Sequence, residues 1–93
     1  MAIAAHVLLG EGVVERILVV DLDVHQGDGT AAIFATDPRV VTVSVHCASN
    51  FPLRKQQSNV DLALADGLED DDYLRAIGDR IPDLLDQVRP DLV

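Results

Sequence analysis

Ninety-three residues, 48% apolar and 25% charged, make one domain at most and carry no compositional sign of disorder or low complexity. Sixteen acidic against seven basic side chains give a net charge of -9, which speaks against direct nucleic-acid binding, because phosphate backbones are held by clustered Lys and Arg. No apolar run approaches the roughly 20 residues of a membrane span, no basic leader precedes an apolar stretch, and the single Cys47 has no partner for an internal disulfide, so a reducing compartment, the cytoplasm, is expected.

In chain order, Ala2 to Leu9 reads as an Ala- and Leu-rich helix closed by Gly10 or Gly12, with no polar residue before it to cap its first turn. Ile17 to Val20 is an apolar, mostly β-branched run that extends to Val24 with carboxylates interposed; such runs suit strands covered on both faces. Gly27-Asp28-Gly29 is a turn, and Asp28 is placed to cap a short helix through Phe34. After the turn at Asp37-Pro38, Val40 to Val45 repeats the buried-strand pattern, and His46 to Asn59 reads as a polar loop. Val60 to Leu64 alternates like a short edge strand.

Asp70 to Val88 has Tyr73, Leu74, Ile77, Ile81, Leu84, Leu85 and Val88 on one helical face, four acidic residues at its favourable end, and Pro82 where a kink is expected. Arg89-Pro90 stops this helix, and Asp91-Leu92-Val93 opens a further strand. Alternation of helix and strand predicts an α/β fold with a parallel sheet. An uncapped first helix and a strand of only three residues at the other end are the pattern of a chain cut from a larger domain.

The chemistry concentrates in Asp21-Leu22-Asp23-Val24-His25-Gln26-Gly27-Asp28-Gly29-Thr30. If the strand runs on to Val24, alternation places Asp21, Asp23 and His25 on one face, at the carboxyl end where open α/β sheets bind ligands. Two carboxylates and an imidazole there suit a divalent metal such as zinc, with an open position for water. Taken singly, Asp28 is adequately explained as a turn former, and a lone strand histidine is ordinarily a satisfied core residue. Three polar groups ending one buried strand are harder to explain that way, since each is costly to bury unpaired. A rival pattern is the Asp-x-Asp motif of haloacid-dehalogenase-type phosphatases, which Asp21 to Val24 fits but His25 does not. His46-Cys47 is a weaker pair, because strand neighbours point to opposite faces.

Residues 16 to 30, Arg-Ile-Leu-Val-Val-Asp-Leu-Asp-Val-His-Gln-Gly-Asp-Gly-Thr, closely resemble the histone deacetylases and the related bacterial acetylpolyamine and acetoin-utilisation-type deacetylases. The resemblance continues through Val43-Ser44-Val45-His46 and through Phe51-Pro52-Leu53-Arg54-Lys55-Gln56, a stretch most similar to the smaller, class IV-like members. It reaches essentially the whole chain. It implies a partial three-layer α/β/α parallel sheet of the arginase/deacetylase type, with residues 1–93 a fragment of the domain, and a parent enzyme that hydrolyses acetyl-amine amides using one zinc ion.

On the same resemblance, Asp23 and His25 are two of three protein zinc ligands, and Asp21 and Asp28 match carboxylates that hydrogen-bond a catalytic histidine pair. Asp21, Ser44 and the carbonyls of Asp23, His25 and Val45 match a potassium site. The backbones of Phe34, Asp37 and Val40 match part of a second. The His-His pair is expected upstream of Met1, and the third zinc ligand, an Asp, and an oxyanion-stabilising Tyr downstream of Val93. Tyr73 sits on an apolar helix face and reads as core. The leading expectation is therefore a deacetylase fragment inactive by itself. A non-catalytic module that binds metal or a partner protein is the alternative, and the phosphatase comes third. The implied partner of the complete enzyme is an acetylated amine or acetyl-lysine, with no nucleic acid and no membrane.

Overall fold

The computed structural model describes residues 1–93. Three parallel strands form its sheet: β1 (Ile17–Asp21), β2 (Val40–Cys47) and β3 (Val60–Leu64), in the spatial order β1-β2-β3. Helices α1 (Ala2–Gly10), α2 (Asp28–Phe34) and α3 (Asp70–Val88) complete it. α2 connects β1 to β2, whereas the parallel return from β2 to β3 is made by residues 48–59 without a helix. α3 carries the chain back across the sheet, so that Leu92 bridges Ile17 in parallel on the free side of β1, with Leu18 donating to the Leu92 carbonyl at 2.9 Å.

Alternation along the strands sorts the core into two layers. Ile17, Val19 and Val40 face Ala5 and Leu9 of α1 and Phe34 of α2. Leu18, Val43 and Val45 face Leu84 of α3, joined by Tyr73, Ile77, Ile81 and Val88. Helices therefore lie on both faces of a parallel sheet, the expected three-layer α/β/α arrangement. Tyr73 belongs to this second cluster, as its helical position implied. No helix is long and apolar enough to cross a membrane.

The helix ends follow local chemistry. α1 has no side-chain cap at Met1, and Gly12 adopts φ +70° where the chain turns towards β1. α3 begins on three aspartates and runs unbroken through Pro82. It ends at Arg89 in the left-handed region (φ 48°), whose N–H donates to the Leu85 carbonyl at 2.9 Å. Its last turn is tied to the start of β1: Arg16 donates to the Val88 carbonyl at 2.6 Å, and the Asp91 carboxylate accepts from the backbone N–H groups of Glu15 and Arg16.

Three expectations are corrected. β1 ends at Asp21 and does not reach Val24, because the Asp21 side chain accepts the Asp23 N–H at 3.0 Å and turns the chain out of the sheet. β2 runs on to Cys47, which makes His46 a buried strand residue instead of the start of a loop. Asp28 does not cap α2: the cap position is Gly27, and Asp28 is the first helical residue, its Oδ1 accepting only from the next N–H.

Candidate active-site segment

The site is built at the carboxyl end of β1 by two short self-accepting turns. Asp21 Oδ1 takes the Asp23 N–H at 3.0 Å, and Asp23 Oδ1 takes the His25 N–H at 2.8 Å. Asp and Asn side chains commonly fold the chain this way, two residues on. The second turn also brings the imidazole round, so that His25 Nδ1 lies 2.9 Å from Asp23 Oδ1, both side chains open to solvent. The His25 backbone N–H, and then its ring, hold the Asp23 carboxyl below the usual carboxylate range. Phe51 lies beside them, its ring edge-on to His25 with centroids 6.4 Å apart.

Asp23 and His25 are therefore brought together, but by turns and not by strand alternation, and Asp21 does not share their loop. Leu22 and Val24, on the other side of this loop, border a small cleft with Cys47, Leu64 and Tyr73. Asp21 instead heads a polar row across the sheet. Strand register aligns it with Ser44 of β2, and Ser44 with Asp61 of β3. Ser44 Oγ accepts the Gly27 N–H at 3.2 Å and lies 3.0 Å from Nδ1 of the buried His46. Gly27 crosses so close to Asp21 that a Cβ there would overlap the carboxylate. Val45 presents its side chain to the opposite, α3-facing layer, leaving its backbone as its only part on this level.

The remaining expected residues are separate from that row. Phe34 closes α2, and its carbonyl accepts the Asp37 N–H, while the Asp37 carbonyl accepts the Val40 N–H, both at 3.1 Å. This turn clusters the three backbones that the resemblance singled out. The Asp37 carboxylate is engaged by Arg39 at 2.7 and 2.9 Å, which lowers its pKa to about 2. His6 is exposed on α1 and stacks 5.0 Å from Phe34, away from the β1 loop. Cys47 points away from His46 and donates its thiol to Asp66, which also accepts from Ser49.

Sequence reasoning passed over Gln26. It is 4% exposed, and its amide reaches Asp61 and the backbone of Gln56. The available signal was in β3, where Asp61 alternates against Val60 and Leu62 and so had to face the same side as Asp21.

An aspartate oxygen and an imidazole nitrogen 2.9 Å apart and open to water are donors of the kind zinc accepts. They are two donors only: no group of three or more His, Cys, Asp or Glu side chains comes together to hold a metal ion. The donor set fits zinc as part of a site.

The model of the histone deacetylase domain matches residues 1–93. An uncharacterized protein of Picosynechococcus is 56% identical over 93 residues, all of this chain and 31% of the relative. A probable deacetylase of Archaeoglobus fulgidus is 31% identical over 103 residues, covering 100% of this chain and 28% of the relative. Histone deacetylase B of Dictyostelium discoideum is 33% identical over 84% of this chain and 21% of its own length. The chain thus spans less than a third of the length of these relatives.

Proposed function

Because this chain belongs to the histone deacetylase family, we propose that it carries part of the active site of a zinc-dependent enzyme that hydrolyses acetyl-amine amides, such as acetylated lysine or an acetylated polyamine. The observation that carries this reading is the Asp23–His25 pair, turned together at the carboxyl end of β1. Asp23 and His25 would hold the zinc. Zinc, when bound, supplies Lewis-acid polarisation of the acetamide carbonyl and of a water. Asp21 and Asp28 suit the carboxylates that orient the catalytic histidines. Asp21, Ser44 and the Val45 backbone are the proposed potassium site, and the backbones of Phe34, Asp37 and Val40 part of the second. The cytoplasm is the proposed compartment. Family membership leaves the phosphatase reading of Asp21 to Val24 without support.

Amide hydrolysis also needs a general base and an oxyanion donor, each worth roughly 10²-fold or more. None of this chain's histidines serves as base: His6 stacks on Phe34, His46 is buried on Ser44, and His25 is a proposed ligand. Tyr73 lies in the α3 core. Residues 1–93 alone are therefore expected to bind zinc weakly and to turn over nothing. Calorimetric zinc titration, run beside a fluorogenic acetyl-lysine assay, tests this. The expected result is weak binding that disappears in Asp23→Ala/His25→Ala, with no turnover in either protein. Tight binding that survives the double substitution defeats the ligand assignment. Turnover that requires His25 defeats the claim that the chain alone is inactive.

A further inference from the structure

The loop that carries Asp23 and His25 has no buried side chain from 22 to 25, and one backbone bond, from the Cys47 N–H to the Val24 carbonyl at 2.9 Å, ties it to β2. Gln26 is the first residue of the loop to turn inward, and it is the only buried side chain between Asp21 and Ala31. Its amide behaves as a surrogate peptide unit. Oε1 accepts the Gln56 N–H at 2.8 Å while Nε2 donates to the Gln56 carbonyl at 2.8 Å, the two-bond exchange that paired strand residues make. The second Nε2 proton goes to Asp61 Oδ1 at 2.9 Å, and Asp61 Oδ2 accepts the Ser58 N–H at 3.0 Å. No buried side-chain polar atom is left without a partner.

We infer that Gln26, anchored by Asp61, is a positioning residue that clamps the Asp23–His25 loop to the 50–59 segment and so fixes the direction of His25 and its contact with Phe51. The chemistry selects the amide. Asparagine is one methylene too short, glutamate has no proton for the Gln56 carbonyl and would set its charge against Asp61, and methionine fills the volume with no hydrogen bond. Because Gln26 directly follows His25, pinning its side chain inward fixes the backbone from which the imidazole projects. Groups that orient metal ligands from behind typically change metal affinity 10- to 100-fold when removed. As a statement about metal-ligand alignment, the inference rests on the zinc reading; as a statement about loop geometry, it does not.

The test is done on the 93-residue chain by nuclear magnetic resonance and by Co2+ absorption. In the parent, the Gln56 and Ser58 amides should be protected from exchange, and the His25 and Phe51 rings should show a cross-relaxation contact. In Gln26→Met the Gln56 amide should exchange at least tenfold faster and the ring contact should vanish, while amides of the β1–β2 ladder keep their protection. Co2+ affinity should fall about 10- to 100-fold, with altered visible bands. If Gln26→Met unfolds the chain, Gln56 protection and the ring contact in the parent decide the clamp, and Asp61→Asn tests its anchor. It keeps an acceptor for Gln26 but presents an N–H to Ser58, so Ser58 alone should lose protection. A Gln56 amide that is open in the parent, or equally protected in Gln26→Met, overturns the clamp, as does a Ser58 amide unchanged in Asp61→Asn. A parent with no Asp23-dependent Co2+ band defeats the zinc reading instead, and the exchange and ring data still decide the clamp.

Discussion

Gly27 is the tightest point of the site, since a Cβ on it would run into the Asp21 carboxylate. Alanine there must displace either Asp21 or the loop, and overpacking of this sort costs about 1–3 kcal/mol. Gly29, two residues on, has open space around it inside α2. Gly29→Ala should therefore be neutral or stabilising by up to about 1 kcal/mol. Urea denaturation of the two variants measures the contrast, and equal effects would refute it. Asp37 supplies a second test at this scale. Its carboxyl is lowered from 3.8 to about 2, first by the Arg39 guanidinium and then by the Arg39 backbone N–H. A depressed carboxylate adds stability above its unfolded pKa and loses it as pH falls through the folded one. The difference in melting temperature between the parent and Asp37→Asn should be steady above about pH 5, shrink as pH falls below about 4, and be mostly lost by about pH 2. Single residues were also where the sequence was most legible: Asp23 and His25 do meet. It was least legible in how they meet, because strand alternation and an aspartate-centred turn both bring residues two apart onto one side, and only the hydrogen bonds of Asp21 and Asp23 separate the two.

The elements were readable wherever a period or an apolar run was long. α3 falls where its helical stripe placed it, and β3 where its alternation did. The boundaries that were missed lie where side chains overrule pattern. Asp21 ends β1 early by taking a backbone N–H, and β2 runs two residues past its apolar stretch because Ser44 satisfies His46 in the interior. That polar pairing is invisible to hydropathy. Gln26 was missed for a related reason: a glutamine between a histidine and a glycine looks like loop, and its burial depends on Asp61 and Gln56, 35 and 30 residues away. The α3 stripe itself allows a sharp test. Leu84 is 4% exposed against Leu18, Val43 and Val45, whereas its neighbour Leu85 is 38% exposed. Leu84→Ala should cost about 2–5 kcal/mol, and Leu85→Ala no more than roughly 1 kcal/mol. Guanidinium titration of both variants checks the order, and a reversal would mean that α3 is rotated on the sheet.

At the scale of the whole molecule, the sheet is unevenly covered. The Cα envelope measures 43 × 28 × 16 Å, a thin slab. On the α3 side the apolar cluster is broad, but beside β1 a cleft of about 260 Å³ opens between α1 and the segment Leu92-Val93. Its walls include Met1, Ala5, Leu8, Val19, Val20 and Val93, and every residue lining it is apolar. Leu92, which borders it, bridges Ile17 and spends both its C=O and its N–H on β1, accepting from Leu18 and donating to Arg16. Apolar surface left open to water favours self-association, because contact between copies buries it. The net charge of -9 opposes this only at long range, and salt screens it over about 10 Å at 0.1 M. Raising the salt concentration should therefore increase association. In sedimentation velocity across a concentration series, the parent chain should show oligomers that grow with protein and salt concentration. Val93→Lys, which sets a charge at the mouth of the cleft, should shift the distribution towards monomer without changing the far-ultraviolet circular dichroism. A parent that stays monomeric at high concentration and high salt would show that the cleft is not adhesive, and an oligomer indifferent to Val93→Lys would place the contact elsewhere, with the outer edge of β3 the next surface to test.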